Sequence, residues 1–187
     1  MRYNHKAQVI FASMEMDQRR HSGYSLVELP AGVWLLLIAF LFPFISYTTL
    51  GYRAALMYFA AYDACTKSAR SLTFSTASTA AQQTFAADSA SFTGIESPAE
   101  MLYVIEQPYA LPGNPQPPAN VYGQAPKSVN TSQNAYFLQV VATAKIHALI
   151  EFGPDGLMGL QIPGLTVPYP LQVVCKVYSE NPQGLTN

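Results

Sequence analysis

Charge is what this sequence has least of. Of its 187 residues only 11% are Asp, Glu, Lys or Arg, less than half the roughly 25% usual in soluble domains. The net charge is −1, so nothing in the balance provides the basic surface on which nucleic-acid binding depends, and no nucleic acid is expected as a partner. Cysteine is almost absent: Cys65 and Cys175 are too few for a disulfide scaffold or a four-ligand zinc site and leave room for a single bridge. No G-x-S-x-G, HExxH, P-loop or paired-cysteine spacing occurs, so neither a catalytic residue nor a metal or cofactor is expected. Glu96, Glu100 and Glu106 are scattered over a loop and a strand with nothing beside them to suggest a hydrolytic pair, and Asp155 in PDG is a turn residue.

What the chain has instead is apolar and uncharged polar surface. Half of it is hydrophobic, with 14 prolines and 12 tyrosines against 10 lysines and arginines, a composition that rules out general disorder and points to an extracytoplasmic face. Between Glu28 and Arg53 there is no charge, and Leu29 to Gly51 reads LPAGVWLLLIAFLFPFISYTTLG, enough at ~1.5 Å per residue to cross a ~30 Å hydrocarbon core. A soluble core helix shows an apolar stripe and a polar face. This stretch is apolar all round as far as Ser46, so residues 24–52 are read as a transmembrane helix. Trp34, Tyr47 and Tyr52 near its ends suit interface anchors, and Pro43 is expected to bend it. Arg2, Lys6, Arg19 and Arg20 precede the span, and Arg53, Lys67 and Arg70 follow it. The positive-inside rule then puts the N-terminus in the cytoplasm and the C-terminal domain outside a single-pass inner membrane.

The junction before the span carries more information. It reads RRHSG, then YSLVEL, then the apolar run. A secretory signal peptide has its small-residue cleavage site after the apolar core, whereas here Gly23 comes before it. The arrangement resembles a type IV prepilin-like (class III) leader, with Arg19 and Arg20 as its basic residues, Gly23 at the cut, Tyr24 as the first mature residue and Glu28 as the fifth. The resemblance implies that a prepilin peptidase removes residues 1–23 on the cytoplasmic side and leaves the anchor in place; Met14 or Met16 as the start would give a leader of usual length. Taken physically, a carboxylate at the edge of an apolar helix costs a few kcal/mol on insertion scales and needs a partner. The resemblance implies that Glu28 pairs with the Tyr24 amine of a neighbouring subunit; the alternative is a carboxylate left in the headgroup region.

Beyond the membrane, GYRAALMYFAAYDACTKSARSLTF is free of proline and rich in helix formers. Tyr58, Ala61, Cys65, Ala69 and Leu72 recur at spacings of three and four, which predicts an amphipathic stem helix, continued over residues 53–93 by an Ala/Ser-rich stretch with a weaker helical turn or two. Residues 94–187 are read as a β-rich head. MLYVIEQ is a short strand, and the six prolines from Pro108 to Pro126 make residues 108–126 a loop of polyproline character. From Tyr136 to Ala148 alternate residues are apolar, and Leu171, Val173, Cys175 and Val177 alternate inward in the last strand. FGPDGLMG is a turn cluster between them, and the meander order predicts antiparallel pairing. Cys175 then faces the core side of the sheet and Cys65 the apolar side of the stem. A bridge between them would close a loop worth ~4–5 kcal/mol in the chain-entropy model; the alternative is two buried thiols. The fold class expected is α+β: a single N-terminal transmembrane helix continuing into a stem packed on a small antiparallel sheet.

GYSLVEL before the span, the Ala-rich YRAALMYFAAYDACTKSAR after it, and the closing IPGLTVPYPLQVVCKVYSENP together resemble the TadE/TadG-like family of the tight-adherence (Flp) pilus system. Pro30 comes earlier in the span than is usual there, and SYTT stands where an acidic residue is often found. The resemblance implies a pseudopilin-like structural component, not an enzyme, whose partners are the membrane, a prepilin peptidase, other pilins or pseudopilins and the inner-membrane assembly platform. A minor pseudopilin of type II secretion would share the leader and stem. The rival from another class is a signal-anchored domain that binds a partner through its proline-rich loop. His5 and His21 precede the cut, so His147, on the polar side of a strand beside Lys145, is the one histidine left for an external site, and an exposed structural role is expected of it.

Overall fold

A computed structural model of the chain describes residues 5–110, 115–149 and 161–186, with side chains from Leu29 onward. Glu151, Asp155 and the FGPDGLMG turn lie outside the described residues, as do residues 111–114 of the proline-rich loop. The elements are α1 (His5–Ala69), α2 (Phe74–Ala90), β1 (Ile95–Pro108), β2 (Asn120–Tyr122), β3 (Asn134–Ile146), β4 (Tyr169–Tyr178) and a 3-10 helix at Pro182–Thr186. They form two compact units, Met1–Ile45 and Ser46–Asn187. The fold class is α+β, as expected.

In the first unit most of the described side chains of α1, from Leu29 to Ile45, are exposed. Leu29, Trp34, Leu35, Leu36, Phe40 and Phe44 are all exposed, because an all-round apolar helix has no polar face to turn outward and no single face to bury. Leu29–Ala69 is long and apolar enough to cross a membrane. Pro30 and Pro43 both sit inside the helix, which spanning helices tolerate where neighbouring groups take up the freed carbonyls. The helix also extends back over the expected leader to His5, consistent with the helix formers in KAQVIFASMEMDQRR.

In the second unit a four-stranded antiparallel sheet in the order β2-β1-β3-β4 lays one face on the helices. The β3 alternation is as expected: Tyr136, Leu138, Val140, Ala142, Ala144 and Ile146 are buried, while Thr143 and Lys145 are exposed. The face of α1 that meets them holds Ala61, Cys65 and Ala69 of the expected face but not Tyr58, and Leu72 falls beyond the helix. Met57, Ala60, Ala61, Ala64, Cys65, Ser68 and Ala69 are buried, whereas Tyr58 and Leu72 are half or more exposed. The physical reason is size. Alanine and serine let the helix backbone come close to the sheet and pack without voids, and the larger Tyr58 is turned out.

Three further differences have local causes. α1 stops at Ala69, whose carbonyl accepts the N–H of Glu180. Thr73 and Thr76 then make a reciprocal capping box that starts a full second helix where only a turn or two was expected. That helix has almost no large side chains, but Ala77, Ala81, Thr84 and Phe85 supply a buried stripe. β1 is twice the length of MLYVIEQ; its first half carries a register irregularity between Glu96 and Ala99, where Pro98 removes a ladder donor and Ser97 adopts a positive φ of 51°. Finally, the proline-rich loop contains β2, which pairs with Val104–Glu106 of β1.

The chain end closes the core. Leu185 is buried among Ala77, Val104, Tyr136 and Leu138, and Gly184 lies so close to the Leu72 carbonyl that a Cβ there would overlap it. Gly184→Ala is therefore expected to lower stability by about 1–3 kcal/mol, the usual range for forced overpacking, measured by urea unfolding of the chain in detergent. Unchanged stability would mean that the 3-10 helix is not seated against the α1–α2 link.

Candidate functional site

Three regions bear on function: the residues before the span, the cysteine pair in the core, and the exposed surfaces of the second unit. Arg19, Arg20, Gly23, Tyr24 and Glu28 fall within α1, and their side chains lie outside the described part of the structure.

Cys65 and Cys175 are brought together. Both are buried free thiols, and Cys65 Sγ donates to the carbonyls of Leu138 at 3.3 Å and Cys175 at 3.4 Å. Their neighbours are Ala61, Ala64 and Val140. Burial pushes both thiols up, Cys65 to about 12 with the Cys175 thiol adding to the rise, which disfavours the thiolate in the folded core.

The polar feature that sequence reasoning missed is Glu106. It lies in β1 with Asn120 paired beside it on β2 and Tyr136 on β3. Each of its oxygens is claimed by one N-x-Y tripeptide. Oε2 accepts from Tyr122 Oη at 2.7 Å and Asn120 Nδ2 at 3.3 Å, and Oε1 from Asn134 Nδ2 at 2.6 Å and Tyr136 Oη at 2.8 Å. Tyr136 Oη in turn accepts the N–H of Asn130. The signal was in the sequence: a lone acid in the apolar run MLYVIEQ, with NVY and NAY on the strands to either side. Burial alone would raise the carboxyl, but the tyrosine and asparagine hydrogen bonds outweigh it and hold Glu106 below its ordinary value. With four donors on two oxygens it is filled by the protein itself and serves as a clamp that ties the end of the proline-rich loop to the sheet.

A depressed carboxylate stabilises the fold above its unfolded value of about 4.5 and loses that contribution as pH falls through the lower folded value. Glu106→Gln is therefore expected to cost about 1–3 kcal/mol at neutral pH, as charge-assisted bonds do, and to flatten the loss of stability below pH ~4.5, read from urea unfolding across that range. An acid limb identical in the variant would show that Glu106 is not the group that titrates.

Other charges are held locally. His147 Nε2 lies 3.1 Å from Glu96 Oε2 at the surface, and Arg53 Nη1 donates to the His147 carbonyl, its guanidinium filling the space above Gly94, where φ is +75° and a Cβ would collide. Lys67 pairs with Asp63 one turn back. Among the described residues no group of three or more His, Cys, Asp or Glu is placed to hold a metal.

The bare apolar surface falls in two places. On the stem, Tyr52, Ala55, Phe59 and Tyr62 are exposed at spacings of three and four, with Tyr58 stacked on Tyr62 at 6.4 Å between ring centroids. On the outer face of the sheet, Val121 and Tyr178 are exposed and Phe137 is half-buried; they line up through Ile105, itself buried, across all four strands. There Phe137 meets Tyr178 edge-on at 5.6 Å and Lys176 Nζ lies 4.2 Å above the Phe137 ring. Comparison with protein-family models, with curated proteins and with solved structures returned no match to this chain.

Proposed function

We propose that the chain is a membrane-anchored, pseudopilin-like structural subunit of a tight-adherence (Flp-type) pilus or a related secretion apparatus, with its N-terminus cytoplasmic and its head outside. The observation that carries this reading is the stem. A helix apolar all round over Leu29–Ile45 continues as the core helix of the head, yet past the charge-free run it still leaves Phe59 and Tyr62 bare. By sequence the same three-and-four spacing runs back from Tyr52 through Thr48, Ile45, Leu41, Ile38 and Trp34, the pattern of a helix that packs lengthwise against another helix. Such a subunit would meet its neighbours along α1, and Glu28 would meet the Tyr24 amine freed by prepilin peptidase.

The outer aromatic face of the sheet favours a second reading, a signal-anchored extracytoplasmic binding domain, and processing separates the two. N-terminal sequencing of the protein extracted from its native membrane is expected to begin at Tyr24, and Gly23→Ala is expected to retain the leader. An intact leader on the anchored wild type would overturn the pseudopilin reading.

An external head would also place Cys65 and Cys175 where thiols oxidise. They are 110 residues apart in sequence and adjacent in the core. Intact mass before and after reduction is expected to differ by two hydrogens, the two thiols having passed their electrons to a thiol–disulfide oxidant of that compartment. No difference would leave them as the buried thiols of the reduced form.

A further inference from the structure

The end of the head at which α1 enters carries an open apolar hollow of about 240 Å³, lined by Tyr47, Leu50, Ala54, Ile146, Tyr169 and Leu171. Leu50, Ile146 and Ala148 form a small core cluster at its floor, with Ala54 and Leu171 against it. Tyr169 on its rim is 45% exposed, and Leu149, next in sequence to Ala148 of the cluster, 61%. Among the described residues no charged side chain lines the hollow.

Its position along the chain says what it faces. The charge-free run extends from Leu29 to Tyr52, but the head's cover on α1 already begins inside that run: Ser46 is fully buried and Leu50 nearly so. The 17 residues Leu29–Ile45 that precede this cover rise only about 25 Å at ~1.5 Å per residue, short by about one helical turn of a ~30 Å hydrocarbon core. With Glu28 at the opposite polar boundary, the missing turn is the one bearing Ser46, Tyr47 and Thr49, at the level of the hollow. The first charge beyond, Arg53, is drawn onto the His147 carbonyl of the head. Tyr47, Tyr52 and Tyr169 are the amphipathic rings that settle at headgroup depth, apolar in body and polar at the tip.

We propose that the base of the head is seated in the interfacial layer of the bilayer, with phospholipid chains at the glycerol level filling the hollow between α1, Ile146 and Tyr169. The surface is a lipid-binding one, and the head does not stand clear of the membrane on a free stem. This inference rests on α1 being a membrane anchor, which is part of the function proposed above. It adds that burial of Leu50, Ile146 and Leu171 is completed by lipid.

Tryptophan quenching in nanodiscs tests it. The full chain has one tryptophan, Trp34, which reports the anchor directly. In a Trp34→Phe background, Tyr169→Trp and Tyr178→Trp place reporters at opposite ends of β4. With phosphatidylcholine brominated near the headgroup end of its acyl chains, Tyr169→Trp is expected to lose most of its emission and Tyr178→Trp almost none. Leu149→Trp, next in sequence to Ala148 of the floor cluster, is expected to follow Tyr169→Trp. In the wild type, lipid brominated along the chain is expected to quench Trp34. If Trp34 is quenched and the Tyr169 and Leu149 reporters are not, the anchor stands and the lipid seat is overturned. If those reporters are shielded from aqueous iodide but untouched by bromolipid, a second protein copy occupies the hollow, which also overturns it. If Trp34 itself is not quenched, the anchor reading falls and the seat with it.

Discussion

The structure depends on how closely one helix can approach one sheet. Ala60, Ala61, Ala64 and Ser68 on α1 present almost no side chain to Val140, Ala142 and Cys175, so backbone and sheet come together with the thiols and Phe85 filling the remaining space. Close packing of this kind is unforgiving, since a single added methylene must displace a neighbour. It also explains why the larger stem residues are turned outward: Tyr58, Phe59 and Tyr62 do not fit a face built for alanine. The exposed aromatic surface of the stem is thus a geometric consequence of the core it backs onto.

The same helix therefore meets two environments in turn. Over Leu29–Ile45 it has apolar residues on every side and needs an apolar solvent; from Ser46 onward one side has the sheet. Read as the subunit proposed above, the chain would gain little by being independent, because its longest element would be complete only with lipid on one stretch and protein on another. That economy suits a part of an assembly better than a free-standing domain, and it is why the functional proposal is structural. At the proline-rich loop, polar contacts add to the apolar core. Glu106 gathers β2, β3 and the end of the proline-rich loop through four neutral donors, so a loop with few large apolar residues still has a fixed edge.

Much of this could be read before any coordinates. The uncharged run after Glu28, the alternation of β3 and β4 and the shared inward side of Cys65 and Cys175 all follow from periodicity, which survives in the fold because each sets which side of an element avoids water. Other features were hidden for physical reasons. α2 was understated because an Ala/Ser/Thr helix has weak intrinsic signal, its stability coming from the sheet it touches and from the Thr73–Thr76 cap. The first half of β1 was missed because Pro98 and the irregularity around Ser97 break the pattern that marks a strand. The Glu106 clamp joins residues 14 to 30 positions apart, and no local rule connects them.

By itself, then, the amino-acid order determined the long apolar helix, the class of fold and the inward phase of β3 and β4, because hydrophobic patterning is a local property of the chain. That Tyr58 stands off the buried face of α1, which partners saturate Glu106, and how near the two thiols lie were decided only in the tertiary structure. Each depends on the size and reach of side chains that arrive from distant positions, and volume complementarity between elements is not written in the spacing of either one.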